Sequence, residues 1–166
     1  MCAGRDGESI GSSTDYYFCD RCEPVHGINI LDAIVFRIFS KAYAELEQFD
    51  DARRCIDEAM TMIEASGERW CEAEVHRIAG EIALMPSRPD AATAEAHFER
   101  ALAIACEQQA KSWELRAAMS MARLWRDRGK REQAHNLLAP IYEWFTEGFD
   151  TLDLKEAKAL LDQLAQ

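Results

Sequence analysis

The sequence has no apolar run long enough to cross a membrane. Its richest apolar stretch, residues 28–39, is interrupted by Asp32 and Arg37, whereas a membrane-spanning helix needs about 20 predominantly apolar residues. The opening residues, MCAGRDGES, also lack the basic segment and apolar core of a secretory signal. These absences exclude a membrane-embedded class and predict a cytoplasmic protein.

Basic residues are few relative to acidic ones. The 166 residues include 19 Lys and Arg against 30 Asp and Glu, which gives a formal net charge of −11. Binding to a phosphate backbone or to an anionic lipid surface depends on clustered Lys and Arg. We therefore expect neither nucleic acid nor a membrane surface among the partners.

The sequence also lacks the residue sets that carry common catalytic chemistry. A P-loop requires Gly-x4-Gly-Lys followed by Ser or Thr, but Gly129 and Lys130 are followed by Arg131, and the earlier glycine is missing. No Ser, His and Asp can be grouped into a nucleophilic set. An enzyme therefore has no support from the sequence, and we expect neither catalysis nor a cofactor.

Histidines and carboxylates are present, but not in catalytic groupings. His76, His97 and His135 fall on three different predicted helices, so we expect each to face solvent or to form an ordinary hydrogen bond. Neighbouring carboxylates such as Glu72 and Glu74 do not share a helix face, as a general acid and base pair would. They are predicted to lie on solvated faces.

One short pattern is repeated three times along the chain. An alanine is followed four and seven residues later by apolar side chains, in Ala52/Ile56/Ala59, Ala94/Phe98/Ala101 and Ala134/Leu138/Ile141. The first residue lets two helices cross closely, and the later two continue the same buried face. The first alanines are separated by 42 and 40 residues, a spacing typical of stacked helical hairpins.

The periodicity predicts an all-α fold of seven helices. Residues 1–27 are expected to form an irregular leader, and residues 28–166 a helical-repeat domain of three antiparallel hairpins with a C-terminal capping helix. The helices are predicted at 28–47, 52–65, 69–84, 92–109, 112–129, 131–145 and from Thr151 onward. Pro140 predicts a kink or a break in the sixth helix, which packs Tyr142, Trp144 and Phe145 under the capping helix.

Specific residues are predicted to begin and end these helices. Asp50 or Asp51 is expected to cap the second helix, Ser112 the fifth and Thr151 the seventh, because their side-chain oxygens can accept from the first-turn amides. Gly67 is expected to end the second helix in the left-handed conformation.

The six cysteines fall into two groups. Cys55, Cys71 and Cys106 lie in predicted helices at positions typical of small apolar residues, and we expect them to be reduced. The others lie in the leader, where Cys19, Cys22 and His26, with Cys2 as a fourth ligand, are candidate zinc ligands or a redox dithiol. A small zinc-binding or redox protein is therefore the alternative function, and a leader that binds nothing is the structural alternative.

Two segments resemble the second helices of tetratricopeptide repeats. These are AEAHFERALAIA at 94–105 and REQAHNLLAPIY at 131–142, with a small residue at the crossing and an aromatic or aliphatic residue four later. The resemblance implies a right-handed stack of helical hairpins that works as a protein-interaction scaffold.

A longer resemblance runs from Gly67 to the end of the chain. GERWCEAEVHRIAGEIAL, AKSWELRAAMSMARLW and WFTEGFDTLDLKEAKALL are similar to the C-terminal helical-repeat region of large bacterial signalling proteins. In those proteins a class III adenylate or guanylate cyclase domain precedes a P-loop ATPase module. The resemblance implies a non-catalytic regulatory or partner-binding segment, and a chain that is a fragment of, or derived from, a larger protein.

A basic strip is predicted along the first helices of the hairpins, which line the concave side in tetratricopeptide arrays. It consists of Arg37, Lys41, Arg77, Glu81, Arg116, Arg123 and Arg126. Arginine forks bind carboxylates at two points, so we expect this groove to hold an acidic or C-terminal peptide segment. In the alternative, the arginines pair with glutamates of adjacent hairpins and bind no partner.

The predicted first helix is apolar on more than one face. It carries Ile30, Leu31, Ile34, Val35, Phe36, Ile38 and Phe39. A single apolar stripe is enough for an end helix, so a second surface must cover the rest. Tyr16, Tyr17 and Phe18 of the leader are one candidate, and a second copy of the chain is the one we favour, which predicts a homodimer.

Overall fold

The computed structural model describes Tyr43, Leu46, residues 48–85 and residues 89–166, and within these residues the chain is entirely helical, without strands. Six helices follow one another: α1 (Phe49–Ser66), α2 (Glu72–Ala83), α3 (Ala91–Glu107), α4 (Lys111–Asp127), α5 (Arg131–Glu143) and α6 (Leu152–Leu164). The all-α class is confirmed for this part of the chain. None of the helices described is both long and apolar enough to span a membrane.

Several predicted features lie outside the described residues. They are the leader at 1–27 with its cysteines and the predicted first helix, except Tyr43 and Leu46. The predicted dimer surface on that helix also lies outside the described residues. The irregular leader, the first helix and the homodimer therefore stay predictions.

The repeated alanines lie at the most buried positions of the structure. Ala52, Ala94 and Ala134 have no exposed surface. The residues four positions later, Ile56, Phe98 and Leu138, are buried as well. The burial predicted from the repeated pattern is confirmed at these positions, whereas Ile141, at the end of the third copy, is only partly buried.

The helices form two layers. Each helix packs against the next one along the chain, and α2 also contacts α4, as α4 contacts α6. Among the described residues, α1, α3 and α5 make no comparable contacts with one another. The α2–α4–α6 layer is therefore continuous, with the other three helices packed behind it.

The helices of the hairpin α2–α3 approach closely at Gly80. The Phe98 ring, which is fully buried, lies directly over this glycine. A Cβ atom at position 80 would be 2.7 Å from Cδ1 and 2.9 Å from Cζ of the ring, closer than real Cβ contacts. The hairpin therefore requires a residue without a side chain at this crossing.

The helix ends confirm one predicted signal. Gly67 ends α1 in the left-handed conformation with φ of 70°, and its amide donates to the Ile63 carbonyl. This is the expected use of a glycine after a helix, since a Cβ is disfavoured there.

The predicted N-caps are wrong in detail. Asp50 and Asp51 lie in the first turn of α1, after Gln48, where their charges favour the helix dipole without capping it. The helix α4 begins at Lys111, one residue before the predicted cap Ser112. Thr151 does occupy the N-cap position of α6, but its hydroxyl donates to the Gly148 carbonyl at 2.7 Å instead of accepting from the helix.

Three further expectations need correction in whole or in part. Of the kink and the break that were the alternatives at Pro140, the break is excluded, because α5 is continuous from Arg131 to Glu143. Trp144 is 58% exposed and does not pack under α6, although Tyr142 and Phe145 lie against the core between α4 and α6. Cys106 is exposed, unlike the buried Cys55 and Cys71, because it lies on the outer face near the end of α3; all three are free thiols.

Candidate functional site

The described part of the basic strip lies on the α2–α4–α6 layer. Arg77 and Glu81 belong to α2, and the other three arginines belong to α4. The predicted strip residues Arg37 and Lys41 lie outside the described residues. The structure therefore brings five of the seven predicted residues to one pair of neighbouring helices.

Arg77 is held inside a buried ion-pair cluster. Its Nε lies 2.7 Å from Oε2 of Glu74 and its Nη2 lies 2.8 Å from Oε1, a two-point contact. Its Nη1 donates to Glu81 and lies 3.4 Å from Oγ of Ser120 on α4. Burial acts to lower the pKa of Arg77, but the bonds and charges of Glu74 and Glu81 raise it above its usual range.

The carboxylates of this region are not solvated, contrary to the prediction. Glu74 is only 4% exposed and Glu72 is also buried. A buried carboxylate needs a charged partner, and Glu72 has one in Arg69, whose Nε lies 2.5 Å from Oε2. The prediction failed because it compared carboxylates along one helix and left out the arginines that reach them.

Arg116 continues the cluster to the third helix of the layer. Its Nε lies 2.7 Å from Oδ2 of Asp153 on α6, and its Nη1 lies 4.0 Å from Oε1 of Glu74 on α2. One polar network therefore crosses from α2 through α4 to α6.

The two remaining arginines form exposed contacts with α6 and with their own helix. Nη2 of Arg123 lies 2.8 Å from Oε2 of Glu156. Arg126 donates to Gln163 at 2.8 Å and to Asp127 at 2.9 Å. The side chains of Arg116, Arg123 and Arg126 are 37%, 40% and 31% exposed, unlike that of Arg77 at 10%.

A shallow cleft of about 300 Å³ opens between α2 and α4 on the same side of the molecule. Its lining combines apolar and charged side chains: Glu81, Leu84, Phe98, Ser120, Arg123, Leu124 and Asp127. Because Arg123 belongs both to the cleft and to the exposed arginines, an apolar side chain and a carboxylate of one ligand could be bound together here.

Two histidines meet between α2 and α3, which the sequence did not indicate. The Nδ1 atoms of His76 and His97 are 3.1 Å apart. Burial, and next the charge of His97, lower the pKa of His76 to about 4, and burial also lowers the pKa of His97. Their positions could have indicated the pair, since antiparallel helices bring together residues about equally distant from the turn.

The stability of the fold should fall as the pH is lowered from 6.5 to about 4. In this window the unfolded chain binds a proton at His76 and the folded chain does not, because its folded pKa is depressed from 6.5 to about 4. At His76, the charge of Glu72 opposes the lowering of the pKa and that of Arg100 adds to it, and at His97 the charge of Asp57 opposes the lowering. The expected slope is up to about 1.4 kcal/mol per pH unit.

This pH dependence can be measured by urea unfolding between pH 4 and pH 7. The substitution His76→Asn keeps a hydrogen-bonding group but does not titrate, so it should flatten the profile relative to the unmodified chain. His135→Asn, on α5, is the matched control and should leave the profile as it was. A profile unchanged by His76→Asn would contradict the depressed pKa.

The chain matches no protein-family model, and no curated protein or solved structure is significantly similar to it. No relative therefore supplies an activity, a ligand or a partner, and a function has to be inferred from the residues of this chain. The candidate zinc ligands Cys19, Cys22 and His26 lie outside the described residues, so the alternative metal or redox function stays a prediction.

Proposed function

We propose that this chain is a non-catalytic protein-interaction module whose α2–α4–α6 face binds an acidic peptide segment. The observation that carries the proposal is the presence of Arg116, Arg123 and Arg126 on α4, all three partly exposed, with Arg123 also lining the cleft of mixed apolar and charged side chains. Positions separated by seven and by three residues share one helix face. Positions 116, 123 and 126 therefore share one face of α4, where an extended acidic ligand could contact all three arginines.

The existing ion pairs of these arginines are compatible with a ligand. Exposed ion pairs contribute about 0.2–1 kcal/mol, so the carboxylates of a peptide can replace Glu156 or Asp153 at little expense. Arg77 differs because its guanidinium is buried and already bonded to Glu74 and Glu81. We therefore assign Arg77 to the support of the face, and the three arginines of α4 to ligand contact.

The finer parts of the proposal concern architecture and context. The two helix layers and the buried alanines support a tetratricopeptide-like stack with α6 as its capping helix. We further propose a regulatory segment of a cyclase-like signalling protein, on the basis of the resemblance that the sequence of residues 67–166 suggests. Peptide recognition by a layer of helices is consistent with the tetratricopeptide-like stack and with a regulatory segment.

Binding of acidic peptides should depend on Arg123. Peptides rich in Asp and Glu with one Leu would be presented as an array, and the best binder would be labelled for fluorescence anisotropy. The substitution Arg123→Glu should weaken binding by about tenfold or more, because it replaces a charge-assisted bond with repulsion. Folding should be retained, since its ion pair with Glu156 is exposed.

A matched control separates this effect from the net charge of the protein. Arg131→Glu makes the same change of charge at an exposed position on α5, in the other layer. It should weaken binding much less than Arg123→Glu does. Equal weakening by both substitutions, or binding that is unaffected by Arg123→Glu, would rule out a site on the α2–α4–α6 face.

A further inference from the structure

His76 on α2 and His97 on α3 lie close enough for a direct contact between their rings. The two rings have centroids 5.4 Å apart and planes inclined by 39°. A direct bond between two Nδ1 atoms requires one imidazole to donate and the other to accept. Because burial lowers the pKa of both rings, both are neutral at pH 7 and adopt different tautomers. Neutral imidazole is the form that ligates metal ions.

The separation of the two Nδ1 atoms matches the bite of a metal ion. Nitrogen ligands about 2.0–2.1 Å from a tetrahedral Zn²⁺ lie about 3.3 Å from each other. Adjacent nitrogen ligands of a square-planar Ni²⁺ or Cu²⁺ lie about 2.9 Å apart. The observed 3.1 Å falls between these two values, so the separation of the nitrogens suits either geometry.

We propose that His76 and His97 form a binding site for one divalent transition-metal ion, of which Zn²⁺ is the representative. The ion replaces the shared hydrogen and links α2 to α3 through both Nδ1 atoms. Among the described residues, no group of three or more metal-ligating side chains surrounds it. Water therefore fills the other coordination positions, and the ion is exchangeable.

The surroundings of the pair keep both ligands available at neutral pH. Burial lowers the pKa of both imidazoles, so neither ring has to lose a charge before it binds the ion. Asp57 on α1 and Glu72 on α2 contribute negative charge nearby, and Arg100 on α3 contributes one positive charge. His97 is half-buried, which leaves an approach from solvent.

The proton balance distinguishes this site from a cysteine site. When the ion binds, the donor imidazole moves its hydrogen from Nδ1 to its own Nε2, and both rings remain neutral. No proton is released at pH 7. Zinc binding by Cys19 and Cys22 would instead deprotonate two thiols and release their protons to the buffer.

The experiment is calorimetric titration of the full chain with Zn²⁺ at pH 7, in two buffers that differ in ionisation enthalpy. The chain carries Cys19→Ser and Cys22→Ser, so that the Cys19–Cys22 pair of the leader does not contribute. We expect one equivalent of Zn²⁺ to bind with the same heat in both buffers. The thermal midpoint should rise with added Zn²⁺, because the ion binds only the folded state.

Substitutions test whether the two histidines are the ligands. His76→Asn and His97→Asn should each abolish the bound equivalent and the rise of the thermal midpoint, and His135→Asn should leave both unchanged. His97→Asn keeps the test valid if His76→Asn does not fold, since His97 is only half-buried. An equivalent retained in the folded His97→Asn variant, or the absence of Zn²⁺ binding after Cys19→Ser and Cys22→Ser, would overturn the proposal.

Discussion

Replacing Arg77 with Met should lower the free energy of unfolding by about 3–5 kcal/mol. The guanidinium is the two-point partner of Glu74, which is 4% exposed. Removal of Arg77 takes this two-point contact away from a buried carboxylate, and Arg116 is a more distant cation, with Nη1 at 4.0 Å from Oε1 of Glu74. Urea unfolding followed by circular dichroism measures the loss.

Removal of both partners should restore most of this stability. The double variant Glu74→Leu/Arg77→Met removes both members of the buried ion pair, and packed apolar side chains often replace such a pair without loss. The exposed ion pair between Arg123 and Glu156 provides a matched comparison. Arg123→Met should lower the free energy of unfolding by less than about 1 kcal/mol. A double variant no more stable than Arg77→Met would contradict the assignment of Arg77 as a structural support.

Substitution of Gly80 by Ala should have opposite effects in two backgrounds. In the unmodified chain the new methyl group meets the buried Phe98 ring, with 2.7 Å to Cδ1. Such overpacking lowers stability by about 1–3 kcal/mol, which exceeds the gain of about 1 kcal/mol from replacing a helical glycine. Gly80→Ala alone is therefore expected to be less stable than the unmodified chain.

The second background is Phe98→Ala, which should itself lower stability by about 3–5 kcal/mol through the cavity that it leaves. There the methyl group of Gly80→Ala enters empty space and improves the helix, so the double variant should be more stable than Phe98→Ala alone. Thermal and urea unfolding of Gly80→Ala, Phe98→Ala and the double variant give the coupling free energy between positions 80 and 98. A Gly80→Ala substitution that destabilises both backgrounds equally would show that the ring is not what requires glycine.

The helices and their buried faces could be predicted because the relevant signals are local. The alanine pattern at Ala52, Ala94 and Ala134 repeats with helical spacing, and all three are fully buried. The helix starts were less accurate, because several residues near each start can serve as cap. Ser112 lies within α4, and Asp90, which was not predicted as a cap, accepts from the amides of Ala92 and Thr93.

The interactions between helices could not be predicted in the same way. Glu74 was assigned to solvent because it does not share a helix face with Glu72, yet it is buried against Arg77 and near α4. His76 and His97 are 21 residues apart, and only the register of the hairpin brings their Nδ1 atoms together. Such pairs depend on helix rotation and offset, which hydrophobic spacing alone does not determine.

The central claim is that the α4 arginines on the α2–α4–α6 face bind an acidic peptide. Titration of nitrogen-15-labelled protein with such a peptide, followed through the arginine Nε–H signals, tests it most directly. The signals of Arg116, Arg123 and Arg126 should move together and saturate, while that of Arg100 on α3 stays in place. Absence of saturable shifts, or shifts centred on the helices of the other layer, would contradict the claim.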